Sequence, residues 1–232
     1  MNEYCELSFA AVVVAAGSSR RAGFDKLAAL LGGVPVLRRS VDALAAAGSV
    51  EIVVVCPASR WEATELDRAV FACPVRRVDG GSERQDSVAR GLAVLSPGCR
   101  YIAVHDGARP LVRPADIRAC LLAARETGAA ACAHPVVDTL KRADGSCLSL
   151  PERIDRDGLW SMETPQIFER SLLERASRRV REEKRVVTDE VSAVELLGVQ
   201  ARLVAGGPNP KITMPGDLEV ATCLWEHERT SR

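Results

Sequence analysis

Small residues and cations follow the first apolar run of the chain, and together they predict a phosphate-binding loop. Residues 11–27 read AVVVAAGSSRRAGFDKL. The small residues, at which a ligand could approach the backbone, are Ala15, Ala16 and Gly17. The cations after them are Arg20, Arg21 and Lys26. Exposed backbone N–H groups and flexible cations in this order could enclose a triphosphate.

Two common phosphate loops do not fit this segment. A Walker A loop needs a lysine after its second glycine, but Phe24 follows Gly23 here. A dinucleotide-binding loop needs G-x-G-x-x-G, which is absent, and an acidic residue near the end of the second strand, where this chain reads Val55-Cys56-Pro57. A nicotinamide-dependent dehydrogenase is therefore a distant alternative.

A second segment, DGGSERQDSVARGL at 79–92, has a glycine turn followed by a helix start. Gly81 lets the backbone approach a ligand. Arg84 and Ser87 add hydrogen-bond donors at a helix N-terminus, which favours anions. Ser82 and Gln85 have the spacing of a capping box, so ordinary helix capping explains those two residues.

A third segment, YIAVHDGARP at 101–110, ends an apolar strand with polar residues. Asp106 is predicted at the carboxyl end of that strand, where α/β sheets bind ligands, and its carboxylate suits a Mg²⁺ ion that bridges phosphates. Arg109 could neutralise an acidic substrate; the alternative is an Asp106–Arg109 pair that braces the turn. We interpret His105 as a packed strand-end residue rather than a base.

Three later segments contain further candidates, and each of them alone is explained by structure. Arg156, Trp160 and Thr164 lie close together in sequence, with Trp160 expected in the core. Thr188 is predicted to cap a helix that has an acidic first turn. Lys211 lies in a turn after the last predicted strand.

Short apolar runs alternate with helical patterns, which predicts an α/β fold with a mostly parallel, twisted sheet flanked by helices. The runs are nearly continuous, as in strands buried on both faces: Ala10–Ala15, Ile52–Val55, Tyr101–Val104, Ala129–Ala133 and Val199–Val204. Apolar residues at helical spacing lie between them: Val34, Leu37, Val41 and Leu44; Val88, Leu92 and Leu95; Ile117 and Leu121. The length of 232 residues is compatible with a single domain over 1–232.

The stretch at about 138–164 interrupts this alternation. A turn signal at 143–146, reading ADGS, separates two short segments with β character. We predict a protruding β-hairpin arm that leaves the sheet. Because an isolated hairpin needs cover, we also predict a homodimer contact through the arm. The alternative is a flap folded onto its own domain.

The composition argues against several classes of protein. Lysine plus arginine equal aspartate plus glutamate at 31 each, which disfavours a general nucleic-acid binder. No apolar run approaches the roughly 20 residues of a membrane span, so no membrane partner is expected. The start, MNEYCELS, lacks the basic segment of a signal peptide, and the eight cysteines form no C-x-x-C pair. We therefore expect a cytoplasmic protein with reduced thiols and no zinc site.

Taken together, the motifs resemble those of the 2-C-methyl-D-erythritol 4-phosphate cytidylyltransferase family, in the same order, from about residue 10 to 222. The matching segments are AAGSSRRAG, GGSERQDSV, VHDGARP, DTLKR, LWSMETPQIF, TDE and NPKIT. The resemblance implies a Rossmann-like nucleotidyltransferase fold and a shared site in a homodimer. It also implies an enzyme of the non-mevalonate isoprenoid pathway that joins CTP and methylerythritol 4-phosphate into a CDP-alcohol and pyrophosphate, with Mg²⁺.

The resemblance implies roles for individual residues as well. The cations that stabilise the transition state at the α-phosphate match Arg21 and Lys26. Positions that hold CTP match Ala15, Ala16, Gly17, Gly81 and Ser87, to which we add Arg84 from its place at the helix start. Substrate-side positions match Asp106, Arg109, Thr139, Thr164 and Thr188. The cations that hold the sugar phosphate for attack match Arg156 and Lys211, and Arg156 would reach the partner's site from the arm.

The implied chemistry explains these residue types. The nucleophile is a phosphate monoester oxygen that is already ionised at neutral pH, so no general base is needed. Fixed cations and a metal must bring two anions together and stabilise charge on the α-phosphate. The clearest departure from the family pattern is Asp25, which replaces a proline and adds a carboxylate beside Lys26.

Two other hypotheses are compatible with these motifs. Ribitol 5-phosphate cytidylyltransferase has the same fold and chemistry, but the segments DTLKR and LWSMETPQ favour methylerythritol phosphate. A regulatory module that binds CTP without turnover would need fewer cations than this chain provides.

Overall fold

A seven-stranded sheet organises the computed structural model, which describes residues 8–17 and 23–230. The strands are β1 (Phe9–Val14), β2 (Leu30–Leu31), β3 (Val34–Pro35), β4 (Glu51–Val55), β5 (Val75–Val78), β6 (Tyr101–Asp106), β7 (Ala129–Pro135), β8 (Trp160–Glu169) and β9 (Arg202–Ala205). The helices are α1 (Val36–Ala46), α2 (Ala58–Ala63), α3 (Arg84–Val94), α4 (Pro114–Thr127), α5 (Arg170–Glu182), α6 (Glu190–Glu195) and α7 (Pro215–Thr230). A separate antiparallel ribbon is formed by β2 and β3.

The sheet has the order β5-β4-β1-β6-β8-β7-β9, and all its strands are parallel except β8. β8 pairs in the antiparallel sense with both β6 and β7. The prediction of a mostly parallel α/β sheet is therefore confirmed. The segments that follow β1 and β6, and the segment that precedes β8, all meet at the edge where the parallel strands end, which is where such sheets bind ligands.

Helices on both faces of the sheet explain why its central strands are apolar without interruption. Along β1, Ala11 and Val13 belong to the core that contains the buried faces of α1 and α4. Ala10 and Val12 belong to the core that contains the buried faces of α3, α5 and α6. Successive side chains of one strand thus enter two different cores, so neither face carries a polar residue.

Two strands of the seven-stranded sheet were not predicted from the sequence, and neither were the two strands of the short ribbon. β5 is a short strand at the edge of the sheet, and two arginines lie at its centre. β8 contains Pro165, which lacks the N–H that a central strand needs. Pro165 lies where the pairing with β7 shifts register, opposite the stretch between Ala131 and Ala133, and such an irregularity tolerates a missing donor.

The arm leaves the sheet between β7 and β8, over residues 136–159. Because Trp160 and Thr164 belong to β8, the arm ends earlier than the predicted boundary at 164. A backbone hydrogen bond from Val136 N–H to Leu159 O, at 2.9 Å, closes its base. At the tip, an isolated antiparallel bridge joins Ala143 and Ser149.

The turn of the arm is organised by Asp144. Its carboxylate accepts hydrogen bonds from the Ser146 and Leu148 N–H groups at 2.8 and 3.0 Å.

In residues 8–17 and 23–230, no helix has both the length and the apolar character that a membrane crossing requires.

Candidate functional site

Asp106, the last residue of β6, lies at the centre of a cluster of cations. Its carboxylate is 2.8 Å from Lys211 Nζ, 3.4 Å from Arg84 Nη2 and 3.8 Å from Arg109 Nε. Burial opposes ionisation and raises the pKa of this carboxyl group, but the charges of Arg84 and Lys211 outweigh burial and lower the pKa to about 2. Asp106 is therefore an anion at neutral pH, and its position brings three sequence-predicted site residues together.

Arg84 binds a second carboxylate deeper in the protein. Its Nη1 lies 2.7 and 2.9 Å from the two oxygens of Glu190, the first residue of α6. Burial raises the pKa of Glu190, although the charge of Arg84 acts in the opposite direction. Arg84 therefore connects the start of α3 to the start of α6 and to Asp106, and Glu190 is a residue of this network that the sequence analysis missed.

His105 is a packed, neutral imidazole, as predicted. It is fully buried, and burial lowers its pKa to about 4. His105 Nε2 lies 3.2 Å from the carbonyl oxygen of Arg109, which can only accept, so this nitrogen carries the single proton of the neutral ring. Nδ1 is then an acceptor, and the hydroxyl of Thr164 donates to it at 3.0 Å while Thr164 Oγ1 accepts the N–H of Asp106 at 3.0 Å. Both ring nitrogens are therefore engaged, and His105 has no role as a base.

Arg109 connects three segments at this edge of the sheet. Its Nη1 donates to the carbonyl of Asn209 at 2.8 Å, and its Nη2 donates to the carbonyl of Met162 at 3.3 Å. Its backbone N–H donates to the carbonyl of Asp106 at 3.0 Å. These contacts match the expectation that an Asp106–Arg109 pair braces the turn after β6. They also place the charge of Arg109 beside Asp106.

The loop after β1 lies against the glycine turn that precedes α3. A Cβ atom at Gly80 would lie 2.2 Å from Ala16 Cβ, so only glycine permits this approach. The N–H of Gly81 donates to Ser87 Oγ at 3.1 Å, and that hydroxyl donates to the carbonyl of Glu83 at 3.2 Å. The fold thus brings Ala16, Gly81 and Ser87 together.

Two predicted helix caps are wrong. The capping box of α3 is formed by Glu83 and Asp86, rather than by Ser82 and Gln85. Gln85 instead accepts the N–H of Val187 at 3.1 Å, which joins α3 to the segment before α6.

The cap of α6 is Asp189 and not Thr188. The Asp189 carboxylate accepts the Ser192 N–H at 2.9 Å, whereas the Thr188 side chain is exposed. Gln166 of β8, which the sequence analysis missed, accepts the N–H groups of Glu190 and Val191, both at 3.1 Å. The start of α6 is therefore held by a neighbouring strand as well as by its own cap.

Lys26 lies in a turn that begins at Phe24, and its side chain is half-buried. Its N–H donates to the carbonyl of Phe24 at 2.9 Å. The pKa of Asp217 at the start of α7 is lowered mainly by the Met214 N–H and by Thr213, and the charge of Lys26 adds to this effect. Lys26 is therefore close to the start of α7. Arg20 and Arg21, the other cations predicted for this loop, lie outside the described residues.

Thr139 and Arg156 lie on the arm, where they line a cavity of about 290 Å³ together with Lys141 and Arg153. The guanidinium of Arg156 donates to the carbonyl of Val137. Among residues 8–17 and 23–230, no hydrogen bond or ion pair joins Thr139 or Arg156 to the cluster around Asp106. Those predicted site residues that the structure describes thus form two groups, one at the edge of the sheet and one on the arm.

Arg60 makes three side-chain hydrogen bonds to the described residues of the loop after β1, and no motif in the sequence marks it. It lies in α2, and its Nη1 donates to the carbonyls of Ala15 and Gly17 at 2.6 and 3.0 Å. Its Nε donates to the Asp25 carboxylate at 3.1 Å. A lone arginine in a short helix after β4 gives no sequence signal, because its partners are more than 30 residues away along the chain.

Comparisons with known proteins agree with this architecture. The family model for 2-C-methyl-D-erythritol 4-phosphate cytidylyltransferase matches residues 9–227. A protein of that name from Pelotomaculum thermopropionicum is 42% identical over 224 residues, which cover 93% of each chain. The crystal structure of the protein of that name from Thermus thermophilus has a TM-score of 0.77 at 30% identity, covering 94% of this chain and 98% of the other. A 4-diphosphocytidyl-2C-methyl-D-erythritol synthase from Anaerococcus prevotii has a TM-score of 0.81 at 25% identity, with the same coverage.

Proposed function

This chain belongs to the 2-C-methyl-D-erythritol 4-phosphate cytidylyltransferase family, and from that premise we propose that it transfers CMP from CTP to 2-C-methyl-D-erythritol 4-phosphate. The products are 4-diphosphocytidyl-2-C-methyl-D-erythritol and pyrophosphate, in the non-mevalonate isoprenoid pathway. The bond that forms joins a phosphate monoester oxygen to the α-phosphorus, and the bond that breaks releases pyrophosphate. A cytoplasmic location, expected from the sequence, belongs to the same proposal.

The observation that carries this proposal is the meeting of cations and a glycine-lined backbone at one edge of the sheet. Arg84, Arg109 and Lys211 surround Asp106, while Gly80 brings the loop after β1 against the start of α3. Cations in such a place can hold two anionic substrates and stabilise the charge that develops on the α-phosphate. The buried, neutral His105 agrees with a reaction that needs no general base.

We assign the residues to two sides of the site. On the nucleotide side, CTP would be held by Ala15, Ala16, Gly17, Gly81, Arg84 and Ser87. The transition state would be stabilised by Arg21 and Lys26. On the acceptor side, the polyol would be bound by Asp106, Arg109, Thr139, Thr164 and Thr188. Its phosphate would be held by Arg156 and Lys211. Lys211 is supported by its 2.8 Å contact with Asp106, which holds a partly exposed ammonium at the edge of the sheet where the other cations meet.

The described residues fit a magnesium ion that is held by one protein carboxylate together with the phosphates of the nucleotide. Among residues 8–17 and 23–230, no three His, Cys, Asp or Glu side chains are grouped so that they could hold a metal by themselves. Asp106 is an ionised oxygen donor, which suits an ion that one carboxylate shares with the phosphates of a nucleotide. When bound, Mg²⁺ would supply positive charge to the triphosphate, and Asp106 would hold it.

The proposal is tested by pyrophosphate release from CTP and Mg²⁺ with each candidate acceptor. We expect turnover with methylerythritol 4-phosphate and little with ribitol 5-phosphate. The Lys26→Ala variant is expected to lose about 10²-fold or more in kcat with a smaller change in the KM for CTP, because its cation acts on the transition state.

Three outcomes would contradict parts of this proposal. Binding of CTP without pyrophosphate release would indicate a regulatory module. Faster pyrophosphate release with ribitol 5-phosphate than with methylerythritol 4-phosphate would identify ribitol 5-phosphate as the acceptor. A kcat within about twofold of the wild type for Lys26→Ala would remove the catalytic role of Lys26.

A further inference from the structure

Arg60 holds the two halves of the loop after β1 together, although it belongs to neither half. Its side chain is only 9% exposed, and its guanidinium binds two backbone carbonyls and one carboxylate. We propose that Arg60 is a positioning residue for the nucleotide, which acts by fixing the backbone of residues 15–17 and the turn that carries Lys26. This inference rests on the proposed function, since it takes CTP as the ligand of that loop.

The first half of the loop is fixed in orientation by Arg60. Nη1 binds the carbonyls of Ala15 and Gly17, while the N–H of Ala15 donates to the carbonyl of Val55 at 2.9 Å. In a trans peptide the N–H points opposite to the carbonyl. The N–H of Ala16 therefore points away from Arg60, on the side of the loop where an anion could accept it.

Asp25 connects the second half of the loop to Arg60. One carboxylate oxygen accepts Arg60 Nε, and the other accepts the N–H of Leu27 at 3.1 Å. The carbonyl of Asp25 also accepts the N–H groups of Ala28 and Ala29, both at 3.1 Å. Lys26 is the residue between these anchored positions, so a single ion pair couples its backbone to residues 15–17.

The planar guanidinium suits this task better than an ammonium group. Its fork presents donors in fixed directions, so it can bind the carbonyls through one nitrogen and the carboxylate through another. Lysine at the same place could donate to the carbonyls, but it has no fixed second direction for Asp25. We therefore expect Arg60→Lys to keep part of the function and Arg60→Met to lose it.

The chain offers a matched control in Arg170. Its guanidinium donates to the carbonyls of Ser96 and Leu95 at 2.6 and 3.3 Å and pairs with Glu174 at 2.8 Å. It therefore binds the same set of acceptors as Arg60. Arg170 follows the end of β8, and its backbone N–H donates to the carbonyl of Arg100 at 2.8 Å, just before β6 begins, so it lies at the opposite edge of the sheet.

The experiment compares Arg60→Met, Arg60→Lys and Asp25→Asn with Arg170→Met and Glu174→Gln. For each variant, the melting temperature, kcat, the KM for CTP and the KM for methylerythritol 4-phosphate are measured, together with CTP binding by calorimetry. We expect Arg60→Met to weaken CTP binding by about tenfold or more and to lower kcat, since two carbonyls lose their donor. The KM for the acceptor should stay within about twofold. Arg170→Met should lower the melting temperature without this kinetic change.

Other outcomes would count against either the positioning role of Arg60 or the proposed function. Arg60→Met kinetics equal to those of Arg170→Met, in variants that are folded at the assay temperature, would overturn the positioning role. If Arg60→Met does not fold, Arg60→Lys and Asp25→Asn decide in the same way, because Asp25 is exposed enough to be replaced without a cavity. Wild-type protein that neither binds CTP nor releases pyrophosphate would instead refute the proposed function.

Discussion

Burial of the His105 imidazole makes the stability of the fold depend on pH. An unfolded histidine has a pKa near 6.5, whereas burial lowers the pKa of folded His105 to about 4. Between these values the unfolded chain binds a proton that the folded chain does not, so the free energy of unfolding falls as pH decreases from 6.5 to 4. We expect a loss of about 3 kcal/mol from this group.

The measurement is the free energy of urea unfolding at pH 7.5 and pH 4.5, for the wild type and for His105→Gln. Burial raises the pKa of Glu190, so this carboxyl group increases the free energy of unfolding as the pH falls, opposite to His105. Asp106 has a pKa lowered from 3.8 to about 2, so its contribution to stability is lost mainly below pH 4.5. The difference between the two proteins therefore isolates the imidazole. Equal losses in both proteins would contradict the assignment.

Single residues differ in how far the sequence predicts them. Asp106 was found because a polar residue ending a buried strand is a strong local signal. Arg60 and Gln166 were missed because their roles depend on partners that only the fold brings close. Thr188 was chosen over Asp189 as a cap because both residue types cap helices, and only the backbone decides which of them precedes the first turn.

At the scale of elements, the loop after β1 and the start of α3 act as one unit because Gly80 allows them to touch. A methyl group at Gly80 would overlap Ala16 Cβ, at 2.2 Å. We therefore expect Gly80→Ala to separate the two segments and to raise the KM for CTP by about tenfold, which corresponds to roughly 1.4 kcal/mol of lost binding.

The control for this variant is Gly145→Ala. A Cβ atom at Gly145 would meet nothing within 4 Å, and its backbone does not require glycine. Steady-state kinetics with varied CTP compare the two variants, and Gly145→Ala should match the wild type. An unchanged KM for Gly80→Ala would mean that the contact between the segments does not shape the nucleotide site.

Elements were predictable where one physical cause dominated. β1, β4, β6 and β7 are continuous apolar runs because helices cover both faces of the sheet. β8 was assigned in part to the arm because polar residues interrupt its apolar pattern. Those same residues hold the site, since Thr164 binds Asp106 and Gln166 binds the start of α6. A strand that carries functional residues thus loses the regular pattern by which strands are recognised.

At the scale of the whole molecule, the arm has features of an incomplete interface. Val137 and Leu148 on the arm are 75% and 68% exposed, although both are large apolar residues. Arg156 is exposed as well, and among residues 8–17 and 23–230 no hydrogen bond or ion pair joins it to the cluster around Asp106. An extended hairpin with uncovered apolar residues is stable when a second chain covers it. We therefore propose that the arm contributes Arg156 to the site of a partner chain in a homodimer.

Mixing two defective variants tests this arrangement. Lys26→Ala removes a cation from the sheet edge, and Arg156→Ala removes one from the arm. If each site combines the sheet edge of one chain with the arm of the other, a mixed dimer has one site with both defects and one intact site. Because random exchange makes half of the dimers mixed, a 1:1 mixture should recover about a quarter of wild-type activity per chain. Arg156→Ala alone should raise the KM for methylerythritol 4-phosphate, because its guanidinium would bind the sugar phosphate. Chain exchange demonstrated by mass, without any recovery of activity, would place Arg156 in the site of its own chain or outside the reaction.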